Sequence, residues 1–321
     1  MDCSISNSKD LNVSLENDVP LARFTTFALG GRCPCVATCT TKDGLLGVVR
    51  KLNEAKQKFI VLGGGSNCLV ADEGVDACVV RYVHDQPVIK REGNTLDVSA
   101  ATPVDQLAAF AAEQGLSGIN FLSGILGTVG GAVAGNSGAF GKQISDSLLS
   151  VTLLKENGQM DEVGPGSLAF GYRDSLLKKT HDIVFSVKIS LVPGEKEKLL
   201  AERDAILAER KDKHPEWTRF PTAGSFFKNI VSGSPDARRE PAGWYLEQAG
   251  VKDLCVNGAC VFPKHANIII KTKDCSAQDV YDLSQLMQKA VLDKFGIQLV
   301  REVRCVGKFK GMPEGIEELI W

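Results

Sequence analysis

Three residues stand in short runs that suit anion binding and proton transfer: Arg173, Ser225 and Glu302. Arg173 lies in Tyr172-Arg173-Asp174-Ser175. Alone, such an arginine is an ordinary surface ion-pair partner. Its guanidinium is nonetheless permanently charged and can hold a carboxylate through two parallel hydrogen bonds. Ser225 lies in Gly224-Ser225-Phe226-Phe227-Lys228-Asn229, with no G-x-S-x-G elbow around it, so a hydrolase is disfavoured. A serine beside glycine commonly serves a turn or cap. Lys228 and Asn229 could instead bind an anionic ligand and leave Ser225 to donate a proton. Glu302 falls in Leu299-Val300-Arg301-Glu302-Val303-Arg304, where strand alternation sets it with Val300 and Val306, away from Leu299, Val303 and Cys305. An edge carboxylate is ordinarily solvated; among apolar neighbours its pKa rises, which suits acid–base work. His265, after Lys264 and before an apolar run, reads as structural.

Two glycine segments could bring a ligand close to the main chain. Ser123–Gly141 holds seven glycines and almost nothing large. Glycine in helices and strands costs roughly 0.5–1 kcal/mol relative to alanine. Such a run therefore serves either a cofactor cradle or a tight structural crossing. Val129, Val133 and Phe140 argue against a flexible linker. The second segment, Gly63-Gly64-Gly65-Ser66-Asn67, follows a strand but precedes another strand, and Cys68 stands where a dinucleotide fingerprint needs its third glycine. It remains either a plain strand-to-strand turn or an anion-binding concavity of successive N–H groups.

The elements that must position these residues alternate along the chain. Lys58–Leu62 and Val75–Arg81 read as strands. Thr102 and Pro103 mark a helix start as cap and first helical position, with Val104, Leu107, Ala108 and Ala111 on one face and Gly115 as its end. Val151–Lys155 and Ile183–Leu191 are strands. Pro193-Gly194 marks a boundary, and the charged helix Glu195–Lys213 reads as a solvated connector. Beyond it, helices over Ala242–Ala249 and Gln278–Phe295 and strands over Ala266–Ile270 and Ile297–Val306 make a separate α+β unit.

The chain has 321 residues and a net charge of −2, which gives no electrostatic case for nucleic acid. No apolar run approaches the roughly 20 residues needed to span a bilayer, and the first ten residues lack a secretory pattern. Ten scattered cysteines in a chain of this size predict no disulfide framework and a reducing, cytoplasmic compartment. Cys33, Cys35 and Cys39 have the even spacing of a strand rather than the spacing of a zinc site, so no metal is expected.

Taken in order, several motifs resemble the UDP-N-acetylenolpyruvoylglucosamine reductase family, in its shorter type, from about residue 20 to residue 307. They are Thr25-Thr26-Phe27 with Gly30-Gly31, Leu62–Asn67, Phe121-Leu122-Ser123-Gly124, Gly127–Gly131, Tyr172–Ser175, Gly224–Asn229, Ala242-Gly243-Trp244 and Glu302-Val303-Arg304. The resemblance implies an α+β protein: a two-part FAD-binding unit of the vanillyl-alcohol-oxidase type and a C-terminal α+β substrate domain. The corresponding bounds are 1–85 and 86–194 for the FAD unit, 195–213 for the connecting helix, 214–310 for the substrate domain and 311–321 for a tail. It implies NADPH-dependent reduction of UDP-N-acetylglucosamine-enolpyruvate to UDP-N-acetylmuramate in peptidoglycan precursor synthesis. FAD is expected to be noncovalent, because neither glycine segment holds a histidine. It would be bound by Gly63, Gly64, Gly65, Ser66, Asn67, Ser123, Gly124, Thr128, Gly130, Gly131 and Asn136. Gly63–Asn67 would hold the pyrophosphate, and Ser123–Gly141 would form the wall along the flavin. Arg173 and Glu302 would stabilise an enolate-like intermediate and Ser225 would protonate it. Tyr172, Lys213, Lys228 and Asn229 would bind substrate. No nucleic acid, membrane or second subunit is implied.

Leu126, Ala134-Gly135-Asn136-Ser137 and Ile230 depart from the family pattern and bear on loop stiffness. An oxygen-using FAD oxidase would explain the glycines but leave Ser225, Lys228 and Glu302 without roles. A non-catalytic nucleotide-binding protein would not need Arg173, Ser225 and Glu302. Cys68, beside the pyrophosphate loop, is expected to make activity oxidation-sensitive.

Overall fold

The computed structural model describes residues 12–84, 86–155, 158–180, 182–231 and 239–312. The sequence-predicted tail at 311–321 lies almost wholly outside these residues.

The amino-terminal lobe carries β1 (Val13–Pro20), β2 (Arg32–Cys39), α1 (Lys42–Glu54), β3 (Phe59–Val61), β4 (Cys68–Val70) and β5 (Cys78–Tyr82). Four of its strands form a sheet in the order β1-β2-β5-β3, with β5 parallel to both β2 and β3. Alternation along β2 sends Cys35, Ala37 and Cys39 to the large core and Val36 to a smaller one beneath β4. The expected strand at Val75–Arg81 begins later, at Cys78, because Val75 donates its N–H to Arg32 in a turn.

The second lobe follows with β6 (Ile89–Glu92), β7 (Thr95–Ser99), α2 (Val104–Glu113), β8 (Leu116–Ser117), α3 (Val129–Ala134), β9 (Gly138–Ala139) and β10 (Lys142–Gln143). It continues with β11 (Leu148–Leu154), β12 (Met160–Val163), β13 (Ile183–Ser190) and β14 (Val192–Pro193). Five of these make an antiparallel sheet ordered β12-β11-β13-β7-β6. The apolar face of α2, including Val104, Leu107, Ala108 and Ala111, packs into a core shared with the first sheet. Thr102 is not its cap. The Thr102 hydroxyl is taken by both backbone groups of Val88, so the helix starts one residue late with Pro103 at the cap.

The helix α4 (Lys196–Lys213) leads to α5 (Ala242–Gln248), β15 (Cys255–Val256), β16 (Ala259–Phe262), β17 (His265–Lys271), α6 (Ala277–Phe295) and β18 (Arg304–Val306). The buried stripe of α6 includes Val280, Leu283, Met287 and Val291, and the helix opens with a reciprocal capping box between Ser276 and Asp279. Two expectations need correction here. The connector α4 is not simply solvated: Arg203 makes a two-pronged contact with Asp105 of α2 at 2.6 and 2.9 Å, and Arg210 donates to the Ser123 carbonyl at 2.8 Å. The last strand is three residues rather than ten. It pairs in parallel with β4, whose register sets Arg304 against Cys68. Glu302 lies just outside it, with its N–H on the Phe226 carbonyl.

The cysteines also depart from expectation. Cys35 pairs with Cys78 across the neighbouring strands β2 and β5, and Cys255 pairs with Cys260 across the β15–β16 hairpin. For Cys35 and Cys78, strand pairing brings together residues 43 positions apart. Among the described residues no helix is long and apolar enough to cross a membrane.

Candidate active site and flavin cleft

Glycines 63–65 end β3 and pack directly against the second glycine segment. A Cβ on Gly63 would lie 2.5 Å from the Thr128 hydroxyl, and one on Gly64 would lie 2.7 Å from the Gly127 Cα. Ser66 locks the contact by donating to the Leu126 carbonyl at 2.9 Å. The two segments therefore form one wall rather than two separate ones. Gly65 adopts φ +61°, and a side chain there would strike the Phe24 carbonyl. No protein acceptor takes the N–H groups of Gly64, Gly65 or Ser66 among the described residues. Three such donors in a turn make an anion-binding concavity.

Beside this wall runs a cleft of about 520 Å³, counting its open mouth, lined by Leu62, Gly63, Tyr82, Thr128, Gly130, Gly131, Leu177 and Val184. Its lining is mostly apolar with a few polar groups, as in small-molecule sites. Thr128 caps α3, and Gly131 presents bare backbone: a Cβ there meets only the Thr128 hydroxyl, at 3.7 Å. Ser123 is fully buried with a hydroxyl that has no hydrogen-bond partner. Gly124 has φ +74° and gives its N–H to Asp105 at 2.7 Å. Asn136 spends its side-chain amide inside the protein, on Gln143, Gly171 and Ser145, and its carbonyl accepts from Arg173. It braces the arginine turn rather than offering a free amide. The open donors and the glycine floor fit a flat dinucleotide such as FAD.

Next to the cleft, the chain turns at Gly171–Asp174 and presents Arg173, whose Nε lies 3.0 Å from Glu302 Oε1. Their side chains are 23% and 19% exposed, so the pair is shielded but reachable. Arg173 also donates to the Gly138 carbonyl. Burial raises the Glu302 pKa above the usual carboxylate range, opposed by Arg173, Lys178 and Lys228. Asn67, at the end of the first glycine loop, donates to the Glu302 carbonyl at 3.3 Å, which fixes that segment against the flavin wall. Ser225 bridges Ile268 of β17, and the N–H of Lys228 bonds the Val300 carbonyl. The Ser225–Asn229 segment is thus threaded between β17 and the segment Val300–Glu302.

The remaining expected substrate residues have mixed placements. Tyr172 accepts the Asn229 N–H at 3.2 Å and lies between Arg173 and Arg239, with guanidinium centres 5.3 and 4.2 Å from its ring. The Asn229 side-chain oxygen Oδ1 accepts the Ala242 N–H at the start of α5. Lys213 is engaged elsewhere, exposed at the end of α4 and paired with Glu209 at 2.7 Å. Cys68 is buried and its thiol is pushed up to about 12 by desolvation, which argues against the expected oxidation sensitivity. Lys178 and Arg239 were not singled out in the sequence, although Lys178 follows the arginine motif by only five residues.

Comparison with known proteins decides the family. A model of the "FAD binding domain" matches residues 33–164, and one of the "UDP-N-acetylenolpyruvoylglucosamine reductase, C-terminal domain" matches residues 214–306. The reductase of Caldanaerobacter subterraneus subsp. tengcongensis is 33% identical over 90% of this chain and 92% of its own length. The chain belongs to the UDP-N-acetylenolpyruvoylglucosamine reductase family. Reductase 1 of Bacillus anthracis is 34% identical over 91% of this chain and 94% of its own. The crystal structure of the reductase from Thermus caldophilus superposes with a TM-score of 0.75 at 30% identity, covering 91% of this chain and 99% of that one. As a member of that family, the chain is an FAD-dependent oxidoreductase of peptidoglycan precursor synthesis. The expected α+β fold with its FAD-binding unit stands.

Proposed function

We propose that Arg173, Glu302 and Ser225 carry the reduction of UDP-N-acetylglucosamine-enolpyruvate to UDP-N-acetylmuramate. The supporting observation is the Arg173–Glu302 contact at 3.0 Å, which joins the flavin-cleft turn to the segment beside Ser225. The chemistry the cofactor supplies when bound is hydride transfer from NADPH to the enolpyruvyl methylene carbon. Gly63, Gly64, Gly65, Ser66 and Asn67 would hold its pyrophosphate, while Thr128, Gly130 and Gly131 would keep the floor of the cleft bare. Arg173 meets the substrate carboxylate, where negative charge develops as the double bond is lost. Glu302, kept prone to protonation by burial, shares a proton with the same oxyanion. Ser225 then delivers a proton to the carbon that bears the ether oxygen. Lys228 adds positive charge on the substrate side, and Tyr172 and Asn229 hold the two halves of the site in register.

All these groups come from one chain, so the reading needs no second copy, and we take the enzyme as a monomer. We take it to act in the cytoplasm, where nucleotide sugars and reduced nicotinamide are found, in support of cell-wall synthesis, cell shape and division; the two cysteine pairs do not support that compartment. The domain bounds given above follow the same reading.

Positioned proton transfer contributes about 10²–10⁴ in rate. Ser225→Ala is therefore expected to lower overall turnover by that factor while flavin reduction by NADPH stays near normal. Stopped-flow measurement of the two half-reactions checks this, and equal losses in both would remove Ser225 from the donor role.

A further inference from the structure

The turn that presents Arg173 is held in an uncommon conformation. Gly171 and Asp174 exchange backbone hydrogen bonds at 2.9 and 3.3 Å, and Arg173 between them takes φ +53°. A non-glycine residue persists in the left-handed region where its surroundings hold it there. Two contacts do so. Ser175 donates its hydroxyl to the Ala134 carbonyl of α3 at 2.7 Å, and the Lys178 ammonium donates to the Arg173 carbonyl at 2.6 Å.

The second contact is an unusual use of lysine. Its side chain is only 14% exposed, and its ammonium lies 3.9 Å from the Asp174 carboxylate. From the carboxy-terminal segment it faces Glu302 and Arg304, and from the Ser225–Asn229 segment it faces Lys228. Shielding an ammonium among other cations opposes stability. A neutral donor would bond the same carbonyl at less cost. The neighbouring Leu177 lines the flavin cleft, so this one turn touches both the cleft and the ion pair.

We propose that Lys178 is a positioning residue for the reaction: it holds the Arg173 peptide so that the guanidinium aims at Glu302, and it adds to the positive field on that carboxyl. The proposal rests on the roles given above to Arg173 and Glu302. The Ser225→Ala experiment tests that reading separately, so the failure of one is distinguishable from the failure of the other. Burial, Lys228 and Arg304 push the Lys178 ammonium down to about 8, partly offset by Asp174 and Glu302, so its charge is sensitive to this surrounding set.

The test compares Lys178→Met, which keeps length but loses donor and charge, with Lys178→Arg, which keeps both. Each FAD-loaded variant is followed through both half-reactions across pH, with substrate Kd read from the flavin spectrum and folding from thermal melting. Misplacement of a group by about 1 Å costs up to about 10²-fold in rate. Lys178→Met is expected to retain FAD and cooperative melting, reduce normally with NADPH, and lose about 10- to 100-fold in reoxidation by the enolpyruvyl substrate. Kd should change far less than the rate. The alkaline limb of reoxidation should move to higher pH, because Glu302 has lost a neighbouring positive charge. Lys178→Arg should restore the rate to within about threefold of the parent. The parent rate in Lys178→Met, or an unmoved limb, would overturn the proposal. So would equal loss of FAD and of both half-reactions in the two variants.

Discussion

Arg173 does two jobs that compete physically. In the proposed reaction its charge faces the substrate, yet its guanidinium is also tied to the Gly138 and Asn136 carbonyls and to Glu302. These ties hold the group in place before substrate arrives, which is where electrostatic catalysis gains most. Glu302 is the complement, a carboxyl whose burial favours the protonated form while three cations favour the charged one. Cys68 shows the opposite case, a potentially reactive group made inert. It lies at the end of the glycine loop, but burial and the neighbouring Cys305 raise its thiol to about 12. Little of it is then thiolate at pH 8. Iodoacetamide labelling of the native protein at pH 8 should therefore leave Cys68 unmodified by mass spectrometry. Cys68→Ser should lose activity to peroxide at the same rate as the parent, and a protected variant would refute this.

At the scale of elements, α3 and its flanking glycines make the wall proposed for the flavin, and the two helical glycines differ in what they face. A Cβ on Gly130 would lie 3.2 Å from the Ala100 Cβ, so even alanine there presses on the core. Gly131 looks into the cleft with only the Thr128 hydroxyl nearby, at 3.7 Å. Gly131→Leu should thus leave the melting of the apoprotein nearly unchanged. It should weaken FAD by the cost of overpacking, about 1–3 kcal/mol, or roughly 5- to 150-fold. Fluorescence titration of apoprotein with FAD measures this, and unchanged affinity would separate Gly131 from the cofactor. The helices α4 and α6 were legible because their caps, charge and periodicity are local. The arginine, serine and glutamate motifs were legible because their neighbours carry the chemistry. The three-residue pairing of β18 with β4 was not, since its partners are Arg304–Val306 and Cys68–Val70 and only the folded chain brings them together. Thr102 misled for the same reason. A threonine before proline looks like a cap until Val88, remote in sequence, claims its hydroxyl.

For the molecule as a whole, three apolar cores meet around the site, and a few polar stitches set how they sit. One core joins the first sheet to the second lobe, one lies beneath β4, and one draws Phe27, Leu29, Leu69 and Ala71 into the carboxy-terminal lobe. Thr26 stands where these parts converge. Its N–H bonds the Gly65 carbonyl at 3.0 Å, its hydroxyl donates to the Thr222 carbonyl at 2.6 Å, and its own carbonyl accepts from the Thr222 N–H. The residue is 8% exposed, so water does not readily replace these partners. Through Gly65 it holds the turn proposed for the pyrophosphate, and through Thr222 it holds the segment that leads to Ser225. Thr26→Val keeps the shape and the backbone bonds but leaves the Thr222 carbonyl without the hydroxyl. A buried acceptor deprived of its donor costs about 1–3 kcal/mol. Denaturant unfolding of the variant should show that loss. Because the stitch lies between the flavin wall and the proton donor, reoxidation by substrate should also slow more than reduction by NADPH. A loss of stability with both half-reactions intact would make Thr26 a fold residue only; the larger effect on reoxidation marks it as part of the alignment that lets one lobe hold the cofactor and another deliver the proton.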